Sequence, residues 1–110
     1  MKVAVIGSRS ITEADLEPYI PEDTEMIISG GAKGVDTLAR MYAEKKRIPY
    51  LEIRPDYNRY GRKAAPLIRN REIVNKADLV IALWDGVSGG TAYTVQYAES
   101  IEKRLLLIRP

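Results

Sequence analysis

The chain has 110 residues, of which 45% are hydrophobic and 29% charged, the proportions of an ordinary soluble globular protein. This length leaves no room for a second hydrophobic core, so we expect a single domain over residues 1–110. The formal net charge of +2 at pH 7 is too small to indicate nucleic-acid binding by itself.

The N-terminal apolar run is short, because Val3–Ile6 stops at Gly7. A signal peptide needs a hydrophobic region of roughly 7–15 residues. No stretch approaches the roughly 18 apolar residues of a membrane span either. We therefore expect a cytoplasmic protein without a membrane partner.

The chain contains no Cys and no His. Their absence excludes disulfides, thiol nucleophiles, thiolate zinc sites, histidine metal ligands and a Ser-His-Asp hydrolase. We expect no metal site and no cofactor. Any proton transfer has to use Asp, Glu, Tyr, Lys or water, and whether the protein is an enzyme stays open at this point.

Five short apolar runs alternate with segments of helical period. The runs predict strands at Val3–Ile6, Met26–Ile28, Tyr50–Ile53, Leu79–Leu83 and Leu105–Ile108. All except the third are continuously apolar, which is typical of strands covered on both faces. The alternation predicts an α/β fold, a Rossmann-like three-layer sandwich with a five-stranded parallel sheet in the order 3-2-1-4-5. In such a sheet, ligands bind beyond the carboxyl ends of the strands, at the point where strands 1 and 4 lie side by side.

Apolar stripes predict the helices between these strands, along Val35–Ala43, Leu67–Ala77 and Thr91–Ile101. Because proline suits a first helical position, we expect the second of these helices to begin at Pro66. A shorter helix is predicted over Glu13–Tyr19, with Thr12 as its N-cap.

Glycine-rich loops follow strands 1, 2 and 4, and the last two of these loops contain six of the eight glycines in the chain. Glycine lets the backbone approach a ligand, and a helix N-terminus offers unpaired N–H groups and a partial positive charge that suit phosphate. The competing interpretation is that short βα turns need glycine in any case and that the hydroxyls only cap helices. The candidate phosphate- or ligand-binding residues in these loops are Gly7, Ser8, Arg9, Ser29, Gly30, Gly31, Lys33, Gly34, Asp36, Ser88, Gly89, Gly90 and Thr91.

Asn70 falls on the apolar stripe of the second long helix, in line with Leu67 and Ile73. A buried amide needs hydrogen-bond partners, so Asn70 either fixes a neighbouring loop or lines the ligand cavity. Arg69 and Arg71 flank it on different faces of the helix, and we expect one to reach the cavity and the other to lie at the surface. Asn70 and Arg69 join the candidate ligand-binding residues.

Two familiar phosphate-binding motifs are missing. The chain has no G-x-x-x-x-G-K-[ST], which makes a Walker-type NTPase a poor fit. No G-x-G-x-x-G follows strand 1, and strand 2 ends in Ser29 and glycines instead of a ribose-binding acid. A standard NAD site is therefore disfavoured.

The segment from Arg54 to Arg71 is basic, with Asp56 as its only acid and with Tyr57 and Tyr60 interleaved. This pattern fits a solvated basic surface. It also fits a rim that faces an anion, either a ligand phosphate or a single-stranded nucleic acid.

Three motifs together resemble the SLOG superfamily, the Rossmann-like group that includes DNA-processing protein A (Smf) and the LOG-type proteins. Ile28–Asp36 is similar to the S-G-G-A-[RK]-G-x-D signature of the small stand-alone YspA, cpYpsA-related SLOG family. Arg69–Arg71 is similar to the R-N-R of the DNA-processing branch. Ser88–Thr91 is similar to the second glycine motif, which precedes the last helix.

The resemblance implies recognition of nucleotides or nucleotide-derived ligands. Some LOG-type relatives are phosphoribohydrolases, with the pattern P-G-G-x-G-T-x-x-E and an upstream arginine, which Arg69 matches by its spacing. This chain departs from that pattern, because the proline is absent and Thr94 stands in the place of the glutamate. The catalytic candidates are therefore limited to Asp36, Arg69 and Asp85.

Three functions remain open on the sequence. The first is binding or sensing of a nucleotide-type small molecule. The second is hydrolysis of the N-glycosidic bond of a nucleoside monophosphate. The third is single-stranded DNA binding, which the absence of further domains disfavours. A homo-oligomer, a dimer or larger, is compatible with each of them.

Overall fold

The computed structural model describes all residues, 1–110, as a parallel sheet flanked by helices. In chain order the elements are β1 (Lys2–Gly7), β2 (Met26–Ser29), α1 (Val35–Lys46), β3 (Tyr50–Glu52), α2 (Tyr57–Lys76), β4 (Leu79–Leu83), α3 (Gly89–Ser100) and β5 (Arg104–Ile108). None of the helices is long and apolar enough to cross a membrane.

The five strands are all parallel and lie in the order β3-β2-β1-β4-β5. This order confirms the predicted α/β fold. β1 is central, and its register with β4 pairs Val3 with Leu79 and Gly7 with Leu83. The direction of winding reverses between β1 and β4, so the loops that follow these strands open a crevice between them.

The hydrophobic core has two parts, one on each face of the sheet. Along β1, Val3 and Val5 belong to one cluster, which is closed by α1, whereas Ala4 and Ile6 belong to the other, which is closed by α2 and α3. This alternation explains why β1 is apolar at every position, because both of its faces are covered.

β5 departs from the prediction that it is covered on both faces. Leu106 and Leu107 are 39% and 43% exposed. β5 lies at the edge of the sheet and pairs only with β4. Beyond an edge strand there is no further strand and no connecting helix to cover its side chains. A short apolar run in the sequence does not show whether its strand lies at the edge.

The predicted helix over Glu13–Tyr19 is wrong, because this segment is irregular and ends in a turn. Asp15 accepts a hydrogen bond from the N–H of Glu17 at 3.1 Å and so forms a local turn. A helix of seven residues cannot offset the cost of its first turn, and Pro18 lies inside it. The segment still contributes to the core through Leu16.

The prediction that the second long helix begins at Pro66 is also wrong. α2 begins at Tyr57, where the Asp56 carboxylate caps it by accepting a hydrogen bond from the N–H of Arg59 at 3.1 Å. The helix breaks at Gly61, whose φ of +79° and ψ of 176° are not helical. Pro66 lies in the part after this break, so the cap and the glycine, and not the proline, set the helix limits.

Candidate functional site

The loops after β1 and β2 pack directly against each other at Gly34. This glycine has a φ of +77°, and a Cβ added to it would lie 2.6 Å from the backbone oxygens of Ser8 and Arg9. Both the dihedral angle and the contact require glycine, since backbone atoms cannot move aside as a flexible side chain can. Gly34 therefore allows the second loop to approach the first.

Ser8 joins the loops after β1 and β4. Its N–H donates to the carbonyl of Leu83 at 3.0 Å, and its hydroxyl accepts a hydrogen bond from the N–H of Asp85 at 3.1 Å. Ser10, two residues on, donates its hydroxyl to the Asp85 carboxylate at 2.7 Å. Ser8 is buried behind the crevice, so its hydroxyl holds the scaffold and does not face a ligand.

The carboxylate of Asp85 organises the loop that leads into α3. One of its oxygens accepts from the N–H groups of Val87 at 2.8 Å and Ser88 at 2.7 Å. Together with the Ser10 hydroxyl, these donors lower the pKa of Asp85 to about 2, with the Ser88 N–H as the main cause. Asp85 is thus ionised at neutral pH and shapes the loop as an acceptor.

Asp36 holds the loop after β2 from the first turn of α1. It is buried and accepts hydrogen bonds from the hydroxyl of Ser29 at 2.8 Å and from the N–H of Ala32 at 3.0 Å. Burial raises the pKa of Asp36 above its ordinary value, and these two hydrogen bonds and the charge of Arg69 oppose the rise. One carboxyl group therefore holds both ends of the segment Ser29–Ala32, whose sequence is SGGA.

A chain of hydrogen bonds crosses the crevice from the loop after β2 to the start of α3. Arg69 donates to the carbonyl of Gly30 at 2.6 Å and to the side-chain oxygen of Asn70 at 2.8 Å. The Asn70 amide donates to the hydroxyl of Thr94 at 2.8 Å, which in turn donates to the carbonyl of Gly90 at 2.8 Å. Asn70 therefore fixes neighbouring elements and also lines the cavity.

The first cavity, of about 440 Å³, lies in the crevice at the reversal of the sheet. Its wall at the N-terminus of α3 consists of Ser88, Gly90 and Thr91. The N–H groups of Gly89, Gly90 and Thr91 have no acceptor within the protein, and the Ser88 side chain does not cap the helix. This end of the helix presents free donors and a partial positive charge.

A second cavity, of about 460 Å³, lies beside the first and shares Arg9, Ala32 and Arg69 with it. Lys33 and Arg54 also line it. The two cavities are therefore neighbours on either side of the shared arginines.

Most of the residues predicted from the sequence line one of these cavities. In the first lie Gly7, Arg9, Asp36, Arg69, Asn70, Asp85, Ser88, Gly90 and Thr91, and the second adds Gly30, Gly31 and Lys33. Ser8, Ser29, Gly34 and Gly89 line neither cavity; the first three are buried and Gly89 is exposed. Arg71 is an exposed residue whose guanidinium lies over the ring of Tyr97.

Several lining residues were not predicted from the sequence. Ser10 and Pro66 line the first cavity, and Pro55 lines the second. Thr94 does not line either but completes the hydrogen-bond chain. No local pattern marks Thr94, because its partner Asn70 lies 24 residues away in sequence.

The profile of the family described as YAcAr, the YspA, cpYpsA-related SLOG family, matches residues 1–60, which include the loops after β1 and β2. The chain belongs to this family. The matched segment of this SLOG protein contains Gly34 and Asp36, the two residues that hold the glycine-rich loop in place.

The SLOG chain also resembles a solved structure, that of DNA processing protein A (DprA) from Streptococcus pneumoniae. The two share 23% sequence identity with a TM-score of 0.77, and the match covers 99% of this chain and 50% of that one. The chain thus spans about half the length of that protein, and the likeness shows a shared fold. No curated protein sequence matches the chain significantly.

Proposed function

We propose that the chain is a binding or sensing domain for a nucleotide or nucleotide-derived ligand, whose phosphate binds at the N-terminus of α3. The observation that carries this proposal is the set of three free N–H groups at Gly89, Gly90 and Thr91 beside the first cavity. Such a group of donors, with the helix dipole behind it, suits a phosphate.

Side chains around the cavity support the same ligand. Arg9 makes no hydrogen bond or ion pair within the protein, so it is free to neutralise a phosphate. The hydroxyls of Ser88 and Thr91 likewise have no partner in the protein and line the cavity. Asp36 and Asp85 also line the cavity, and their carboxyl oxygens can accept hydrogen bonds from the hydroxyls of a ribose.

Calorimetric titration with AMP, GMP, CMP and UMP, each paired with its unphosphorylated nucleoside, tests the proposal. We expect at least one monophosphate to bind and its nucleoside to bind at least about tenfold more weakly, because the nucleoside lacks the group that the α3 donors hold. Equal affinity for a nucleotide and its nucleoside would contradict a phosphate site. Failure of all four nucleotides to bind a folded sample would contradict the proposed function itself.

One observation favours a second candidate, hydrolysis of the N-glycosidic bond of a nucleoside monophosphate. Asp36 lies in the cavity wall, and burial raises its pKa, a property of groups that exchange protons in catalysis. Chromatography of nucleoside monophosphates after incubation measures release of the free base. Release that is absent, or that survives the replacement of Asp36 by Asn, excludes this candidate.

A further inference from the structure

The second cavity differs from the first in its charge. In the first, Arg9 and Arg69 are balanced by two carboxylates, Asp36 and Asp85. In the second, Arg9 and Arg69 are joined by Lys33 and Arg54, and no carboxylate is among the lining residues. The residues that line the second cavity therefore carry an excess of positive charge, which the neighbouring Glu52 reduces by one through its pair with Arg54.

The two added cations are available to a ligand. Lys33 is exposed and makes no hydrogen bond or ion pair within the protein. Arg54 is paired through its Nε with Glu52 at 2.7 Å, but its side chain is 83% exposed, and an exposed pair of this kind adds little to stability. The two terminal nitrogens of the Arg54 guanidinium remain free to donate to an anion.

We propose that the second cavity is a second anion subsite and that the ligand is a nucleotide with two phosphate groups. This inference rests on the proposed function, since it assigns one phosphate to the N-terminus of α3 in the first cavity. The other phosphate binds between Lys33 and Arg54 in the second cavity, and Arg9 and Arg69 lie between the two. Tyr57, which is 49% exposed, adds an aromatic face to the wall of the second cavity.

Two kinds of nucleotide share this chemistry. In one the phosphates are adjacent, as in ADP, and in the other they lie at opposite ends of the ribose, as in adenosine 3′,5′-bisphosphate. Each cavity has the volume of a small-ligand site, and the cavities adjoin at shared residues, so one nucleotide can extend from one subsite to the other. Comparison of the two nucleotides with AMP identifies the arrangement.

The experiment is calorimetric titration of AMP, ADP and adenosine 3′,5′-bisphosphate into the wild type and two double variants. K33A/R54A removes the added cations of the second cavity. R62A/K63A removes the same charge from exposed residues of α2 that line neither cavity. It therefore measures how far the loss of net positive charge alone weakens the binding of an anion. All four residues are exposed, and circular dichroism at matched temperature verifies that each variant is folded.

We expect ADP or the bisphosphate to bind the wild type at least about tenfold more tightly than AMP, as one added charge-assisted contact predicts. K33A/R54A should lose this gain and keep the wild-type affinity for AMP, whereas R62A/K63A should keep the gain.

Three outcomes overturn the inference. The first is that neither nucleotide binds more tightly than AMP although AMP binds, which leaves the proposed function intact. The second is that K33A/R54A keeps the gain or that both double variants lose it equally. The third is that 5′-phosphorylated oligothymidylate binds far more tightly than both nucleotides, which would assign the second cavity to a nucleic-acid strand. If neither AMP nor any other nucleoside monophosphate binds, the proposed function fails as well.

Discussion

Arg69 reaches across 39 residues of sequence to donate a hydrogen bond to the backbone carbonyl of Gly30 at 2.6 Å. The guanidinium is buried and also lies near the carboxyl group of Asp36, and burial lowers the pKa of Arg69 while that carboxyl opposes the change. A single side chain of α2 therefore holds the glycine-rich loop after β2 in position and forms the boundary between the two cavities.

Replacement of Arg69 by Ala should lower the free energy of unfolding by about 2 kcal/mol, because it leaves the buried carbonyl of Gly30 and the half-buried side-chain oxygen of Asn70 without this donor. Urea denaturation measures the loss. The control is Arg71→Ala on the same helix, where exposed contacts with Tyr97 and Tyr93 are lost and the cost should stay below about 1 kcal/mol. Equal costs for the two variants would contradict the assigned role of Arg69.

Replacement of Gly34 by Ala should destabilise the protein by about 1–3 kcal/mol or more, because the φ of +77° is strained for any other residue and the backbone of Ser8 blocks the Cβ. Gly89 is the matched control, since a Cβ there meets open space. Gly89→Ala adds a better helix former to α3 and should leave stability unchanged or raise it by up to about 1 kcal/mol. A thermal melt of both variants tests the pair, and a Gly34→Ala melt like that of the wild type would refute the argument.

The Asp85 carboxylate should make stability depend on pH in acid. Its folded pKa of about 2 lies below the ordinary value of 3.8, so its contribution is complete above pH 3.8 and is lost as the pH falls towards 2. Asp85→Asn removes the titrating group, so the difference in stability between wild type and variant should shrink over that interval. The buried Asp36 shifts stability in the opposite direction, but it is present in both proteins and cancels.

Urea denaturation of both proteins at intervals between pH 6 and pH 2 measures this difference. A difference that stays constant over the whole range would show that the hydrogen bonds from Ser88 and Val87 do not favour the charged carboxylate.

A negative charge at the start of α3 should block phosphate binding without harming the fold. A Cβ at Gly90 meets nothing within 4 Å, and an acid in the first turn of a helix is favourable. Gly90→Asp should therefore weaken binding of a nucleoside monophosphate by at least about tenfold relative to Gly90→Asn, which has nearly the same size and no charge. Calorimetric titration measures both affinities, and equal affinities would contradict a phosphate at this helix end.

The sheet order, and with it the crevice between β1 and β4, could be predicted from the sequence because the order of strands and helices along the chain restricts the topology. Continuously apolar runs mark buried parallel strands, and the loops after β1, β2 and β4 must meet where the winding reverses. The two arginines of the R-N-R motif lie on different faces of α2 as predicted, with Arg69 in the cavity wall and Arg71 at the surface.

The errors arose where distant or competing contacts decide the structure. Pro66 indicated a helix start, but the Asp56 cap and the break at Gly61 set the limits of α2 instead. The exposure of Leu107 depends on its strand being at the edge, and the role of Thr94 depends on a partner on another helix. The exposure of Leu107 and the role of Thr94 have no signature within a few residues of sequence, whereas the Asp56 cap is local and was outweighed by the proline signal.

The interruption at Gly61 separates the opening turn of α2 from the long segment that holds Arg69. A residue with a φ of +79° interrupts the regular hydrogen-bond pattern of a helix. This first turn therefore depends for its stability on the Asp56 cap and on its own few contacts. It can fray and re-form at a free-energy cost well below that of global unfolding. Tyr57 therefore stands on a part of the second cavity's wall that can unfold locally while the rest of the fold stays intact.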